Sequence, residues 1–408
     1  MGVGRFVAIP KGHEIAAGAT AGNRPLGEPS CDDPVSSRRG APGSPILLLV
    51  SSHYRSLRRQ TLHYFARPHQ RIPRAPVVSP AAWRGEELRR TSDWAQSLDA
   101  AEAEECRRAV EVALGTGKPL GEMSATDFPL PTLAARIGAW RNELRRGRGF
   151  VLIRNLPVGP WSSREAECFF WCFGLHLGVP GAQNPRGELL GHVVDAHKPG
   201  DVRFYETNRN IAFHCDAADV VGLLCLSPAR SGGASRIASS VTVFNELLAR
   251  NPERIDRLFE AFHLDTHGEG GVRSVPVPPC RFAAGELRTF WHSDYFRSAE
   301  GLPGVPRLDA GARALLDEYD AIAADPAVHL DMELAAGDIQ LLSNHTQIHA
   351  RTAYQDWDDP ARARHLLRLW LSLPEENGVA LRAAKAWSAV QLIAELAITR
   401  ASSRRASP

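Results

Sequence analysis

The stretch "NIAFHCDAADVVGLLCLSPARSGGAS", residues 210 to 235, constrains this chain more than any other. His214 and Asp216 stand two positions apart, just ahead of the continuous apolar run from Val220 to Leu226. In a β-strand, residues i and i+2 face the same way, so the imidazole and the carboxylate can converge on one point. The apolar run has the length of a buried strand, and "SPARSGG" ends it with turn chemistry. A His and an Asp on the lip of such a strand have the geometry of metal ligands, and they call for a third ligand from elsewhere.

The segment "GDIQLLSNHTQIHARTAYQDW" offers His345 and His349, which share one strand parity, so alternation alone does not choose between them. A second H-x-D, His292 and Asp294 in "WHSDYF", also reads as strand, but no apolar run or Gly-Gly turn follows it. An isolated H-x-D is a weak signal, and a hydrogen-bonded strand histidine accounts for it. In "RHLLRLW", a late strand, Arg364, Leu366, Arg368 and Trp370 share one face. Two arginines among apolar neighbours belong inside a barrel with anionic partners, because an unpaired buried guanidinium is costly. His365 falls on the opposite face, and Cys215, between the two ligands, points away from them.

Around these motifs the chain reads as helices flanking many non-consecutive strands. Leu133, Ile137, Trp140 and Leu144 have helical spacing; Phe150 to Ile153 form a strand; Ser162 and Glu165 make a capping box for the next helix. Helices follow in "VFNELLAR" and "PERIDRLFEAF", strands in "LRTFWHSDYFRS" and on both sides of Gly337-Asp338, and a closing helix over 380–400. This order predicts a mostly β protein with a double-stranded β-helix (jelly-roll) core and flanking helices, not an alternating parallel sheet.

Residues 1–76 carry eleven Lys and Arg against four Asp and Glu, with breakers such as "RRGAPGSP" and no sustained periodicity. They read as a disordered basic extension ahead of one domain spanning 77–408. Met occurs only at 1, 123 and 332, so a start codon near Val77 would make the extension foreign to the native protein. A net charge of +2 is too mild for a nucleic-acid partner. No apolar run has the length of a membrane span or the place of a signal peptide, and the seven cysteines lie mostly in apolar segments. A cytoplasmic protein with reduced, structural thiols is expected, Cys168 and Cys172 included.

The region from about 80 to 375 resembles the TauD/TfdA family of dioxygenases, part of the clavaminate synthase-like group. The resemblance rests on "HCD" at 214–216, "SGGAS" at 231–235, "HART" at 349–352 and "RHLLRLW" at 364–370, in the family's order. It implies that His214, Asp216 and His349 bind Fe(II), and that Arg364 receives the distal carboxylate of the cosubstrate 2-oxoglutarate. Ser235 takes the place of a family hydroxyl residue, more often Thr, that also contacts 2-oxoglutarate. Arg368 lies where some relatives hold a substrate anion, and Asn210, with Asn208 and Arg209, sits ahead of the first ligand strand at the expected substrate mouth. Arg351 and Asp356 are placed to pair near the iron, or as an ordinary turn salt bridge; His345 is a supporting or core histidine. The implied activity is oxidation by O₂, preferentially hydroxylation, of a small and possibly anionic organic substrate, with release of succinate and CO₂. Retention of Asp216 argues against halogenation, which needs a vacant position for halide. The alternatives are a non-catalytic jelly-roll binding module and a zinc-dependent hydrolase. The motifs specify neither a substrate nor an oligomeric state.

Overall fold

The computed structural model describes residues 54–195, 207–268 and 272–376. Two sheets dominate them. The larger has the order Ala95–Ser97, Phe150–Arg154, Ile339–Ser343, Val220–Ser227, His365–Ser372, Val179–Gly181, and Leu190–Val193 also pairs with His365–Ser372. The smaller has the order Leu330–Met332, Ser235–Ser239, Gln347–Arg351, Ile211–His214. Apart from the parallel edge pair of Ala95–Ser97 with Phe150–Arg154, the ladders in both sheets are antiparallel.

Alternation along the strands sorts their side chains into layers. Leu367, Leu369 and Leu371 face outward, where Leu224, Ile339 and Leu341 join them beneath the helices Ala100–Gly115, Ala134–Arg146 and Ser163–Leu177. Burying each such leucine contributes about 2 kcal/mol. On the inner face, Phe150, Val221, Leu342 and Trp370 meet Ile237, Leu330 and Met332 of the smaller sheet, so the two sheets pack against each other. The outer face of the smaller sheet, with Ala238, Ile348 and Ala350, is covered by the helices Ser240–Arg250 and Ala310–Ala323.

The helix start at Ser162 has both halves of the capping box, and Ile137, Trp140 and Leu144 form the buried stripe of their helix. Three expectations change. First, residues 54–76 belong to the folded unit. The helix Leu57–Phe65, N-capped by Ser56, buries Gln60, His63 and Tyr64, which bond to segments more than 150 residues away. Its short amphipathic pattern is obscured in the sequence by arginines and by breakers on both sides. Residues 1–53 lie outside the described residues, as does the expected helix at 380–400.

Second, "PERIDRLF" is a 3₁₀ helix, Pro252–Phe259, and Phe262 already belongs to the strand Phe262–Asp265. Ile255 and Leu258 are three apart, the spacing that aligns side chains in a 3₁₀ helix. Third, only Leu287, Arg288 and Thr289 of "LRTFWHSDYFRS" are strand, as the end of Glu286–Thr289, and Ser293–Ser298 is helix. Trp291 stacks on Tyr319 at 3.7 Å between centroids and donates its indole N–H to Asp320 at 2.8 Å. That tertiary packing overrides the β preference of an aromatic-rich segment. Among the described residues, no helix is long and apolar enough to cross a membrane.

Candidate metal centre

His214 is the last residue of the strand Ile211–His214, and Asp216 follows it. His349 occupies the middle of Gln347–Arg351, directly opposite His214 in the ladder. Cross-strand pairing therefore joins the two histidines, whose rings lie 4.2 Å apart between centroids. Asp216 Oδ1 lies 4.0 Å from His214 Nε2, and Asp216 Oδ2 lies 3.9 Å from His349 Nε2. These are too long for hydrogen bonds. Three donor atoms within 4.8 Å of one another surround a common centre instead.

The donor chemistry fits a divalent ion. His214 Nδ1 donates to the Ala212 carbonyl at 2.9 Å, which leaves Nε2 with its lone pair toward Asp216. Burial, reinforced by the neighbouring His214, pushes His349 down to about 3, so its ring is neutral and competent as a ligand. Burial alone would raise Asp216, but the charge of Arg368, with the Trp370 indole N–H at 3.0 Å, outweighs it and holds the carboxylate below its ordinary value. Two imidazoles and one carboxylate with their ligand atoms within 4.8 Å of one another form the facial set that would leave further positions open on Fe(II).

Cys215 points away, as alternation requires, into the apolar layer behind the smaller sheet. His345 does not join the triad. It binds Asp219 at 2.8 Å and stacks on Tyr64 at 4.8 Å. His292 is no strand ligand either: it precedes the helix Ser293–Ser298, and Asp294 is exposed in that helix's first turn. The His292 backbone nevertheless bridges to His214, and the two rings lie 5.2 Å apart.

Arg364 is buried just before the strand His365–Ser372, its backbone N–H bound to Asp356 at 2.8 Å. The Gly-Gly turn makes room for it. Gly232 and Gly233 both have left-handed backbone, and a Cβ on Gly233 would sit 3.2 Å from Arg364 Nε. Burial pulls the Arg364 guanidinium below its ordinary value, and Nη1 has no hydrogen-bond partner. Arg368 donates from Nε to Gln183 at 2.7 Å and lies on the same side as Trp370. Ser235 is buried with its hydroxyl donated to Gln340 at 2.9 Å. Asn210 is exposed beside the strand that ends at His214. Arg351 does not pair with Asp356; it donates to the carbonyls of Thr207 and Arg209, both at 2.6 Å. His365 faces outward to His192 at 2.8 Å.

Two supporting residues escape the sequence. Asn344 accepts the Asp216 backbone N–H at 3.1 Å, and nothing in "LLSNHT" distinguishes it from a turn residue. Asp219 anchors four groups at the base of the site, yet in "HCDAAD" it reads as loop. Trp370 had a signal, since alternation already places it on the arginine face.

The family model described as taurine catabolism dioxygenase TauD, TfdA family, matches residues 116–370. FR-33289 synthase from Streptomyces rubellomurinus is 29% identical over 325 residues, 75% of this chain and 93% of that protein. Uridine-5'-phosphate dioxygenase from a Streptomyces species is 31% identical over 245 residues, 55% of this chain and 86% of that protein. Among solved structures, asparagine oxygenase in complex with Fe(II), 3-hydroxyasparagine and succinate superposes with a TM-score of 0.56 at 18% identity, over 68% of this chain and 93% of that one. The non-heme iron oxygenase OrfP, in complex with Fe and alpha-ketoglutaric acid, gives 0.51 at 17% identity, over 68% and 94%. The chain belongs to the TauD/TfdA family and is an oxidoreductase, an Fe(II)- and 2-oxoglutarate-dependent dioxygenase.

Proposed function

We propose that His214, Asp216 and His349 hold the Fe(II), that Arg364 and Ser235 receive the distal carboxylate of 2-oxoglutarate, and that the reaction is hydroxylation of a small anionic substrate. The carrying observation is the open triad: three ligand atoms gathered without hydrogen bonds among them, with a buried guanidinium that has an unused N–H. Bound there, Fe(II) with 2-oxoglutarate supplies O₂ activation coupled to decarboxylation, which yields succinate, CO₂ and oxidising power for a substrate C–H bond.

The chain's own residues set where this happens. The His214–His349 ladder pair fixes two ligands on rigid strands, and the Trp370 N–H fixes the Asp216 carboxylate from the facing sheet. The apolar layer between the sheets excludes water from that side. We read the two facing sheets as the halves of a jelly roll, with the triad at one end. Arg368 and Asn210 are the proposed substrate contacts. Arg368 carries the charge for an anionic group, and the relative named for uridine-5'-phosphate acts on a compound bearing one. A cytoplasmic setting is supported by six described cysteines, all buried and free, with burial raising Cys106 and Cys225 to about 12.

The test is succinate formation from labelled 2-oxoglutarate by the Fe(II)-loaded chain, screened against small carboxylates, phosphates and phosphonates. Slow turnover alone and stimulation by one anionic class is expected. Turnover with zinc and no 2-oxoglutarate would instead establish a hydrolase.

A further inference from the structure

Arg351 lies two residues beyond His349 on the same strand, so its side chain leaves the sheet on the ligand side. It is buried, 6% exposed, and only Nη2 is bonded, to the carbonyls of Thr207 and Arg209. Its Nε and Nη1 are buried without partners, and so is Arg364 Nη1. Both guanidinium carbons stand over the ring of Tyr354, at 4.9 Å for Arg351 and 5.0 Å for Arg364. Two like charges sharing one aromatic ring, with three unused N–H nitrogens, form a place where a bound anion would be strongly stabilised.

The ladder shows which anion. Arg351 is the cross-strand partner of Ser235, the residue assigned to 2-oxoglutarate beside Arg364. The Ser235 hydroxyl hydrogen is engaged by Gln340, whereas Arg351 presents two free donors from the facing position. We propose that Arg351 is a second cosubstrate-binding arginine, and that it clamps the distal carboxylate of 2-oxoglutarate together with Arg364. A carboxylate has about four lone-pair sites, enough for donors from both guanidinium groups. The inference rests on the iron and 2-oxoglutarate reading above and adds a residue to it.

The test compares two acids on the Fe(II)-loaded full chain without oxygen, by titration calorimetry. 2-Oxoglutarate has the distal carboxylate; 2-oxovalerate keeps the 2-oxo acid head and lacks it. Arg351→Gln should weaken 2-oxoglutarate by about 10- to 100-fold and leave 2-oxovalerate within about twofold, with Arg351→Lys between. Unchanged 2-oxoglutarate affinity in Arg351→Gln overturns the proposal and hands the arginine to another anion, such as the substrate's. Equal weakening of both acids also overturns it, because that pattern means a displaced strand. Should Arg351→Gln fail to fold, Arg351→Lys decides by the same ratio. A wild-type chain that binds neither acid overturns the cosubstrate reading itself, an outcome distinct from wild-type binding that Arg351 does not influence.

Discussion

Asp216 and Asp219 are three residues apart, both buried and both ionised, yet they are built in opposite ways. Asp219 is closed. Its oxygens accept from Arg67, from His345 at 2.8 Å, from His63 at 2.7 Å and from the Leu373 N–H at 2.9 Å. The desolvation of that carboxylate is matched by protein donors, and through them the first helix, the His349 hairpin and the last strand are tied together. Asp216 is open: it has one side-chain donor, Trp370, and otherwise faces two imidazole nitrogens about 4 Å away. A carboxylate satisfied from within supports structure, whereas one left incomplete beside other incomplete donors is a place for a ligand.

The contrast can be broken most severely at the open end. His349→Ala or Asp216→Ala should lower succinate formation on the order of a thousandfold or more, because the ion supplies several kcal/mol of the catalysis. The melting temperature of the metal-free protein should change little. A variant that loses its fold along with its activity would place Asp216 in the same class as Asp219.

Asp219→Ala should do the reverse. It leaves Arg67, His63 and His345 without their acceptor, at about 3–5 kcal/mol, read as a lower urea midpoint with Fe(II) affinity of the folded protein within a few-fold of wild type. A stable Asp219→Ala would show that the network is decoration.

Arg364→Met sharpens the comparison at the mouth of the open site. The expected loss is about 10- to 100-fold in 2-oxoglutarate affinity, with Fe(II) binding retained, measured by competition with a chelator. Equal loss of metal would mean that Arg364 shapes the triad and does not bind cosubstrate.

The smallest effect is in pH. Burial, with Arg67 and Arg288, pushes His345 down to about 4, so it is neutral in the fold and its stabilisation is lost as pH falls from about 6.5 toward 4. Burial opposes ionisation of Glu376, but Arg288, His345 and Arg67 hold it at about 2, so its share is present above about 4.5 and is lost as pH falls toward 2. Chemical denaturation of the metal-free protein should therefore give a plateau above pH 7 and an acid limb in two overlapping stages, the upper one shared by His345 and His349, which burial holds at about 3, each stage on the order of a few kcal/mol. Glu376→Gln should flatten the lower stage alone, and a stability maximum near pH 5 would contradict the assignment.

Legibility in the sequence follows the range of the interactions. The H-x-D lip, the Gly-Gly turn and the face shared by Arg364, Arg368 and Trp370 are consequences of strand alternation and backbone sterics, so they could be read locally. The choice of His349 over His345 needed the family resemblance, since the two have the same parity; the structure separates them because the strand proper begins at Gln347 and His345 is drawn to Asp219. The helix Leu57–Phe65 and the Asp219 network stayed hidden. Their partners are more than 120 residues apart, and no short-range pattern records that a buried carboxylate will meet them. The aromatic segment around Trp291 misled for the same reason, its helix being decided by Tyr319 and Asp320.

One ion and one 2-oxoglutarate are expected to share the His214, Asp216 and His349 centre. Titrating Fe(II) and 2-oxoglutarate together into the folded protein without oxygen, while recording the visible spectrum, tests it directly. A metal-to-cosubstrate charge-transfer band that saturates at one equivalent of each and is missing in His349→Ala is the expected result. A folded wild-type chain that gives no band, or a band that survives in His349→Ala, would contradict it.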